Sequence, residues 1–256
     1  MNRIQEAFQN KKILIPFITA GDPDLSVTKE LIVAMANCGA GIIEIGIPFS
    51  DPVAEGEVIQ KADERALAAG TTTDTIFEMV REVRKETDVP LAFMTYINPV
   101  YTYGVERFME AAKACGIDGI IVPDLPIEEK DVISDVCKTY DITQISLIAP
   151  TSQERIKVIA KEAEGFVYCV SSMGVTGVRQ YFAEGIEEMV ALVKAEKNIP
   201  CAIGFGISTP EQARDMVQKA DGVIIGSAIV KIVEQYGRNC VEPVCKYICS
   251  ILDAIK

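Results

Sequence analysis

Two acidic residues, Glu44 and Glu55, occupy positions where a carboxylate could do acid–base chemistry. Glu44 lies inside the apolar run 42–47, and Glu55 follows beyond a turn that begins at Pro48. A short apolar run bounded by Gly and Pro predicts a strand that is buried on both faces. A carboxylate in such a strand is costly unless it is paired or functional. Pairing with a Lys or with backbone donors would make Glu44 structural, but the proline-containing turn and the second acid favour function.

The alternation of side chains along a strand decides which way Glu44 points. Ile43 and Ile45 face one side, whereas Ile42, Glu44 and Gly46 face the other. If the second set faces the interior of a barrel, Glu44 lies near the carboxyl end of its strand. That end is where barrel enzymes carry their catalytic groups.

The rest of the chain alternates in the same manner between apolar runs and helical patterns. Eight strand-like runs are predicted at 13–19, 42–47, 90–97, 117–122, 142–148, 166–170, 199–203 and 222–225. Helices are predicted at 2–10, 26–38, 58–69, 75–85, 105–115, 128–139, 151–163 and 186–194, and after 209, 228 and 239. This order predicts one α/β domain over residues 1–256, a single (β/α)8 TIM barrel with an extra N-terminal helix. An open doubly wound sheet is the alternative.

Composition excludes several classes of function. The 25 basic and 37 acidic residues give a net charge of −12, which argues against nucleic acid or an anionic membrane as partner. The absence of histidine excludes Ser-His-Asp and Cys-His catalysis and removes the commonest metal ligand. The eight cysteines are scattered without a CxxC pair, which is typical of reduced thiols in a cytoplasmic protein. No apolar run approaches the roughly 20 residues of a membrane span.

Glycine-containing loops follow the last three predicted strands. They contain Gly177, Gly206, and the pair Gly226 and Ser227. Glycine lets backbone N–H groups approach a phosphate closely, and the helix after Ser227 offers its positive end. Loops seven and eight of such barrels commonly bind phosphate, and such a site needs no Lys or Arg.

Four aromatic residues fall near the ends of strands one, three, six and seven. They are Phe17, Tyr96, Tyr168 and Phe205. Each alone is more often a core residue than a ligand contact. Together they predict a pocket for a flat apolar group attached to a phosphate.

Eight longer motifs give the chain a specific resemblance. They are IPFITAGDPD (15–24), IEIGIPFSDPVAEG (43–56), MTYINPVYTYG (94–104), GIDGIIVPDLPIEE (116–129), APTSQERI (149–156), FVYCVSSMGVTG (166–177), GFGIS (204–208) and ADGVIIGSAIVK (220–231). Over nearly its whole length the chain resembles the tryptophan synthase alpha subunit family.

The resemblance implies a lyase reaction of tryptophan biosynthesis, the retro-aldol cleavage of indole-3-glycerol phosphate to indole and glyceraldehyde 3-phosphate. It makes Glu44 the acid and base that acts at indole C3 and at the adjacent hydroxyl, and it directs Glu55 at the indole nitrogen. The substrate-binding residues that it implies are Phe17, Tyr96, Tyr168, Thr176 and Phe205, and the phosphate-binding residues are Gly177, Gly206, Gly226 and Ser227. It implies no cofactor and no metal in this subunit.

The chain departs from the family beside the second acid. The usual motif ends in Ala-Asp-Gly-Pro, whereas this chain has Ala54, Glu55, Gly56 and Glu57. Glu55 keeps the charge but adds a methylene, and the proline is lost. Either the loop shifts to compensate, or the carboxylate overshoots the indole nitrogen. Loss of the proline favours the overshoot, in which case a Glu55→Asp variant would turn over faster.

The family also implies a partner, a pyridoxal-phosphate-bearing beta subunit that receives the indole. Its contact loops match residues 48–57, 98–101 and 123–126 of this chain. Because of the change at position 55, a weakly active or inactive subunit that mainly activates the beta subunit is an alternative. A second alternative is another phosphate-binding barrel enzyme, such as a sugar-phosphate isomerase.

Overall fold

The computed structural model describes residues 2–9, 11–150, 153–170, 182–204 and 206–256. Within these ranges the strands are β1 (Ile13–Thr19), β2 (Ile43–Gly46), β3 (Leu91–Met94), β4 (Gly119–Ile121), β5 (Thr143–Gln144), β6 (Ser146–Ile148), β7 (Val167–Val170), β8 (Cys201–Gly204) and β9 (Gly222–Ile225). The helices are α1 (Arg3–Ala7), α2 (Leu25–Cys38), α3 (Glu57–Ala68), α4 (Thr73–Val83), α5 (Ile97–Tyr103), α6 (Val105–Cys115), α7 (Asp131–Thr139), α8 (Gln153–Glu162), α9 (Phe182–Glu196), α10 (Pro210–Val217), α11 (Ser227–Tyr236) and α12 (Val241–Ile255).

The strands form a nearly closed parallel barrel. Their order is β5-β4-β3-β2-β1-β9-β8-β7-β6, and the two outermost strands are consecutive in the chain. The TIM barrel expected from the sequence is therefore confirmed. The expected fifth strand at 142–148 is instead two short strands, because the run changes its pairing partner at Ile145. The N–H of Ile145 donates to the carbonyl of Ile120 in β4 at 2.9 Å, whereas Ser146 pairs with Val167 in β7.

The two faces of β2 are divided as the alternation predicts. Ile43 and Ile45 belong to the layer between the strands and the outer helices. Ile42 belongs to the cluster that fills the barrel interior, together with Ile224 and Phe166. Glu44 has the same parity as Ile42 and therefore points into the barrel.

The short helix α1 closes the amino end of the barrel. Its side chains Ile4 and Ala7 are buried in the interior cluster. Phe8 follows, with its ring centroid 5.4 Å from that of Phe166. The Asn2 side chain accepts the Gln5 N–H and so caps the helix. Apolar packing at this end leaves the carboxyl ends of the strands as the place for chemistry.

The segment after the third strand differs from the prediction, which was wrong there. The predicted strand 90–97 ends at Met94, and Ile97–Tyr103 is the helix α5. Its first N–H, on Ile97, donates to Oδ1 of Asp124 at 3.0 Å. This partner comes from the loop after β4, so the local pattern could not indicate the helix start. Residues 98–101 are therefore helical and not a loop.

Candidate active site

One cavity opens at the carboxyl ends of the strands and collects most of the candidate residues that the structure describes. Its lining includes Phe17, Glu44, Glu55, Met94, Tyr168, Gly206, Gly226 and Ser227. Two acids, two aromatic rings and two glycine loops thus meet at one site. Three candidates, Thr176, Gly177 and Phe205, lie outside the described residues.

Glu44 is fully buried in the middle of β2, with 0% of its surface exposed. In the sheet it stands between Phe17 of β1 and Ala92 of β3. Among the described residues neither carboxyl oxygen has a hydrogen-bond partner, so the structural pairing considered above is not found there. Burial raises the pKa of Glu44 to about 8. The group therefore holds its proton at neutral pH and can give it up within the working range of an enzyme.

Glycines make room for two aromatic rings beside Glu44. A Cβ on Gly46 would lie 2.6 Å from Cζ of Phe17. A Cβ on Gly204 would lie 2.5 Å from the hydroxyl oxygen of Tyr168. Burial raises the pKa of Tyr168 well above its ordinary value, and the Glu44 carboxylate adds to the effect. Tyr168 is therefore a neutral neighbour of Glu44, and the cavity wall offers apolar ring faces.

Glu55 is fixed by Tyr96, which lies behind it. The Tyr96 hydroxyl donates to Oε2 of Glu55 and accepts the N–H of Ala54 at 2.8 Å. The Gln60 amide also donates to the backbone carbonyl of Glu55 at 2.8 Å. Burial raises the pKa of Glu55, and the hydrogen bond from Tyr96 opposes that effect. Tyr96 is itself buried, and its hydroxyl contacts the acid, so its position indicates a role in holding Glu55.

Two of the predicted glycines, Gly206 and Gly226, also line the cavity. Gly206 has a φ of +75°, which favours glycine, and a Cβ there would meet nothing within 4 Å. Gly226 precedes α11, which begins at Ser227. A Cβ on Gly226 would lie 3.2 Å from Cδ1 of Phe17. Backbone N–H groups at a helix start, next to open space, suit an anion such as a phosphate.

A third acid, Asp63, is not among the residues predicted for the site. It lies on the buried face of α3 with 5% of its surface exposed. Burial, aided by the nearby charge of Glu55, raises the pKa of Asp63 to about 8. The available signal was its i,i+4 spacing from the apolar Ile59, which predicts a core-facing position.

Comparisons with known proteins decide the family. The model of the tryptophan synthase alpha chain family matches residues 4–252. The chain belongs to this family. It is 49% identical to the tryptophan synthase alpha chain of Lacticaseibacillus casei over 259 residues, covering 100% of this chain and 97% of that one.

Solved structures of tryptophan synthase alpha subunits share the whole fold. The subunit from Legionella pneumophila superposes with a TM-score of 0.90 at 38% identity, covering 100% of this chain and 98% of the other. A chain from the a2b2 complex of Pyrococcus furiosus gives a TM-score of 0.88 at 39% identity, covering 95% and 99%. The resemblance expected from the eight motifs is thereby confirmed over essentially the full chain.

Proposed function

We propose that this chain is the lyase of the alpha reaction of tryptophan biosynthesis, which cleaves indole-3-glycerol phosphate to indole and glyceraldehyde 3-phosphate. One observation supports it above the others. Glu44, a buried acid without a hydrogen-bond partner among the described residues, shares a cavity with the second acid Glu55. Family membership connects this pair of acids with that reaction.

Glu44 carries both proton transfers of the cleavage. The bond between indole C3 and the adjacent glycerol carbon breaks as C3 gains a proton and the neighbouring hydroxyl loses one. Protonated Glu44 donates to C3, and the resulting carboxylate accepts the proton of the hydroxyl. A pKa of about 8 makes both forms accessible near neutral pH. The group ends in the form in which it began, so no further acid is consumed.

The other site residues stabilise the charge that develops on the indole and hold the substrate in place. Positive charge develops on the indole nitrogen while C3 is protonated, and the Glu55 carboxylate accepts its N–H. Phe17 and Tyr168 enclose the indole, while Gly206, Gly226 and Ser227 hold the phosphate. Thr176, Gly177 and Phe205 complete the substrate and phosphate sets, and the chemistry requires no metal or cofactor in this subunit.

A beta subunit is the proposed partner, because a related chain occurs in an a2b2 complex. The rim segments 48–57, 98–101 and 123–126 are its proposed contacts. Two of them expose apolar side chains: Val53 is 79% exposed and Tyr101 is 54% exposed. Asp124 of the third segment accepts the N–H of Ile97 at the start of α5, the helix that contains segment 98–101. The segments 98–101 and 123–126 therefore form one continuous surface. No helix of the described residues combines the length and apolarity to cross a membrane. We place the reaction in the cytoplasm because the eight scattered cysteines are typical of reduced thiols.

The deciding assay follows indole and glyceraldehyde 3-phosphate released from indole-3-glycerol phosphate, with and without a tryptophan synthase beta subunit. We expect equimolar products and a faster rate with the beta subunit. Activation of the beta subunit without any cleavage would show that this chain only binds and activates its partner. Failure to bind indole-3-glycerol phosphate would favour a different phosphate-binding barrel enzyme.

Substitution of Gly226 tests the phosphate site. We expect Gly226→Val to weaken the affinity for glycerol phosphate by about tenfold, or roughly 1.4 kcal/mol. The physical reason is that the new side chain presses on Phe17 and crowds the start of α11. Isothermal titration measures the affinity, and Gly185→Ala is the control, because a Cβ there meets nothing within 4 Å. Equal affinities in the two folded variants would remove Gly226 from the site.

A further inference from the structure

Helices α3 and α11 each begin at one end of the proposed substrate site. The first turn of α3 comes directly after the loop that carries Glu55, the proposed acid at the indole nitrogen. Helix α11 begins at Ser227, in the proposed phosphate site. A substrate with indole at one end and phosphate at the other therefore spans the two helix starts. The way in which the helices are held together determines the distance between these two groups.

An apolar cluster packs between the two helices and extends to the site. Its buried members come from α3, α11 and β1 and are Ile59, Ala62, Val230 and Phe17. A Cβ on Gly226, in the proposed phosphate site, would lie 3.2 Å from the Phe17 ring. Apolar contacts are not directional, so this packing holds the helices together without fixing how far one is shifted along the other.

Arg65 adds directional contacts to the apolar packing. From α3, its Nε and Nη2 donate to the two carboxyl oxygens of Asp22 at 2.8 and 2.9 Å. Its Nη1 donates to Oε1 of Glu234 on α11 at 3.1 Å. The planar guanidinium presents its donors in a rigid fork, so these bonds fix orientation as well as distance. One side chain thus joins α3 to α11 and to the loop after β1.

Asp22 attaches Arg65 to the barrel wall. It lies in the loop between β1 and α2, with 3% of its surface exposed. Its N–H donates to the carbonyl of Thr19, the last residue of β1, at 3.3 Å. A buried charge needs a partner, and Arg65 supplies it through two hydrogen bonds. The contact between α3 and the wall is therefore unlike an exposed ion pair, which contributes little.

We propose that Arg65 is a positioning residue, which sets the distance between Glu55 and the phosphate site by joining α3 and α11 to Asp22. This role rests on the function proposed above for the two ends of the site. Arg65 is not part of the cavity lining, so it acts through the helices and not on the substrate. Because the substrate must reach both ends at once, a change in their separation weakens its binding more than that of either half.

Three ligands distinguish this role from a general loss of structure. Indole occupies one end of the site, and glycerol phosphate occupies the other. Indole-propanol phosphate occupies both ends and lacks the hydroxyls that cleavage requires. Isothermal titration measures the affinity of each ligand for the folded enzyme. A parent enzyme that does not bind indole-propanol phosphate would overturn the proposed function, and the role of Arg65 with it.

We expect Arg65→Lys to weaken the affinity for indole-propanol phosphate by about tenfold, and those for indole and glycerol phosphate by less than about threefold. Lysine keeps the charge but has no planar fork, so it cannot hold Asp22 through two bonds and also reach Glu234 in the same geometry. Arg81→Lys, the same change at an exposed position of α4, should behave as the parent. A parallel loss for all three ligands would show that Arg65 is purely structural, and unchanged affinities would equally overturn the proposal.

A second variant, Glu234→Ala, tests the contact with α11 and serves if Arg65→Lys does not fold. Glu234 is exposed, and its removal leaves the pair of Arg65 and Asp22 in place. We expect the affinity for indole-propanol phosphate to fall by about threefold, a loss in the range of an exposed ion pair, with indole and glycerol phosphate bound as in the parent. In both variants kcat/KM for indole-3-glycerol phosphate should fall in the same order. An unchanged affinity for indole-propanol phosphate in folded Glu234→Ala would show that Arg65 does not hold α11 in position.

Discussion

Glu44→Gln should lower kcat for indole-3-glycerol phosphate cleavage by about 100-fold or more, within the usual range for loss of a general acid or base. Glutamine keeps the volume of the side chain but cannot give or take the proton. Both carboxyl oxygens are without hydrogen-bond partners among the described residues, so the substitution removes no observed contact. Substrate affinity should therefore remain within about threefold of the parent.

The matched control is Glu78→Gln, the same change on the exposed face of α4. Cleavage is followed with saturating beta subunit, and affinity by isothermal titration in the inactive variant. A Glu44→Gln enzyme that kept more than about a tenth of the parent kcat would show that another group moves the protons.

The same variant should also change how stability depends on pH. The pKa of Glu44 rises from 4.5 to about 8 on folding, because burial disfavours the charged form. Between these values the unfolded chain is ionised and the folded chain is not, so stability falls as pH rises. The slope from this group is at most about 1.4 kcal/mol per pH unit. Glu44→Gln lacks this slope and should gain in thermal midpoint over the parent at pH 8 but not at pH 4.

Much of the catalytic geometry could be predicted because it follows from strand periodicity. The apolar run predicts the strand, and the alternation of side chains along it predicts which way Glu44 points. In the structure Glu44 has the same parity as Ile42, which belongs to the cluster in the barrel interior. The helix predicted after 209 is equally local and is confirmed as α10, which begins with a capping box at Thr209 and with Pro210 in its first turn. Such features need only residues that are adjacent in the chain or one turn apart.

The features that were missed depend on contacts between distant segments. Helix α5 begins where Asp124, from another loop, accepts the Ile97 N–H. The predicted fifth strand divides at Ile145 because its two halves pair with different neighbours. Asp63 is a different case, since its helical spacing from Ile59 was visible and an acid on a core face was overlooked. The hydrogen bond from the Tyr96 hydroxyl to Glu55 also joins distant segments, so spacing alone could not indicate it. That Tyr96 binds the substrate stays a prediction.

Tyr96 also changes the expectation for the position where the chain departs from its family. The sequence favoured an overshooting carboxylate at position 55, because the loop has lost a proline. In the structure the Tyr96 hydroxyl holds Oε2 of Glu55 and also accepts the Ala54 N–H. The Gln60 amide holds the Glu55 carbonyl at 2.8 Å. The loop is thus anchored around the longer side chain, which favours the compensated arrangement over the overshoot.

We therefore expect Glu55→Asp to lower kcat/KM by about 10-fold to 100-fold, since a misplacement of about 1 Å can cost on the order of 100-fold. The shortened carboxylate falls short of both Tyr96 and the indole nitrogen. Glu55→Gln should lose about 100-fold, because it removes the charge that faces the nitrogen. Glu57→Gln, an exposed acid at the start of α3, controls for charge in the same segment and should stay close to the parent. All three are assayed on indole-3-glycerol phosphate with saturating beta subunit, and a Glu55→Asp enzyme faster than the parent would show that the loop is not compensated and that Glu55 overshoots.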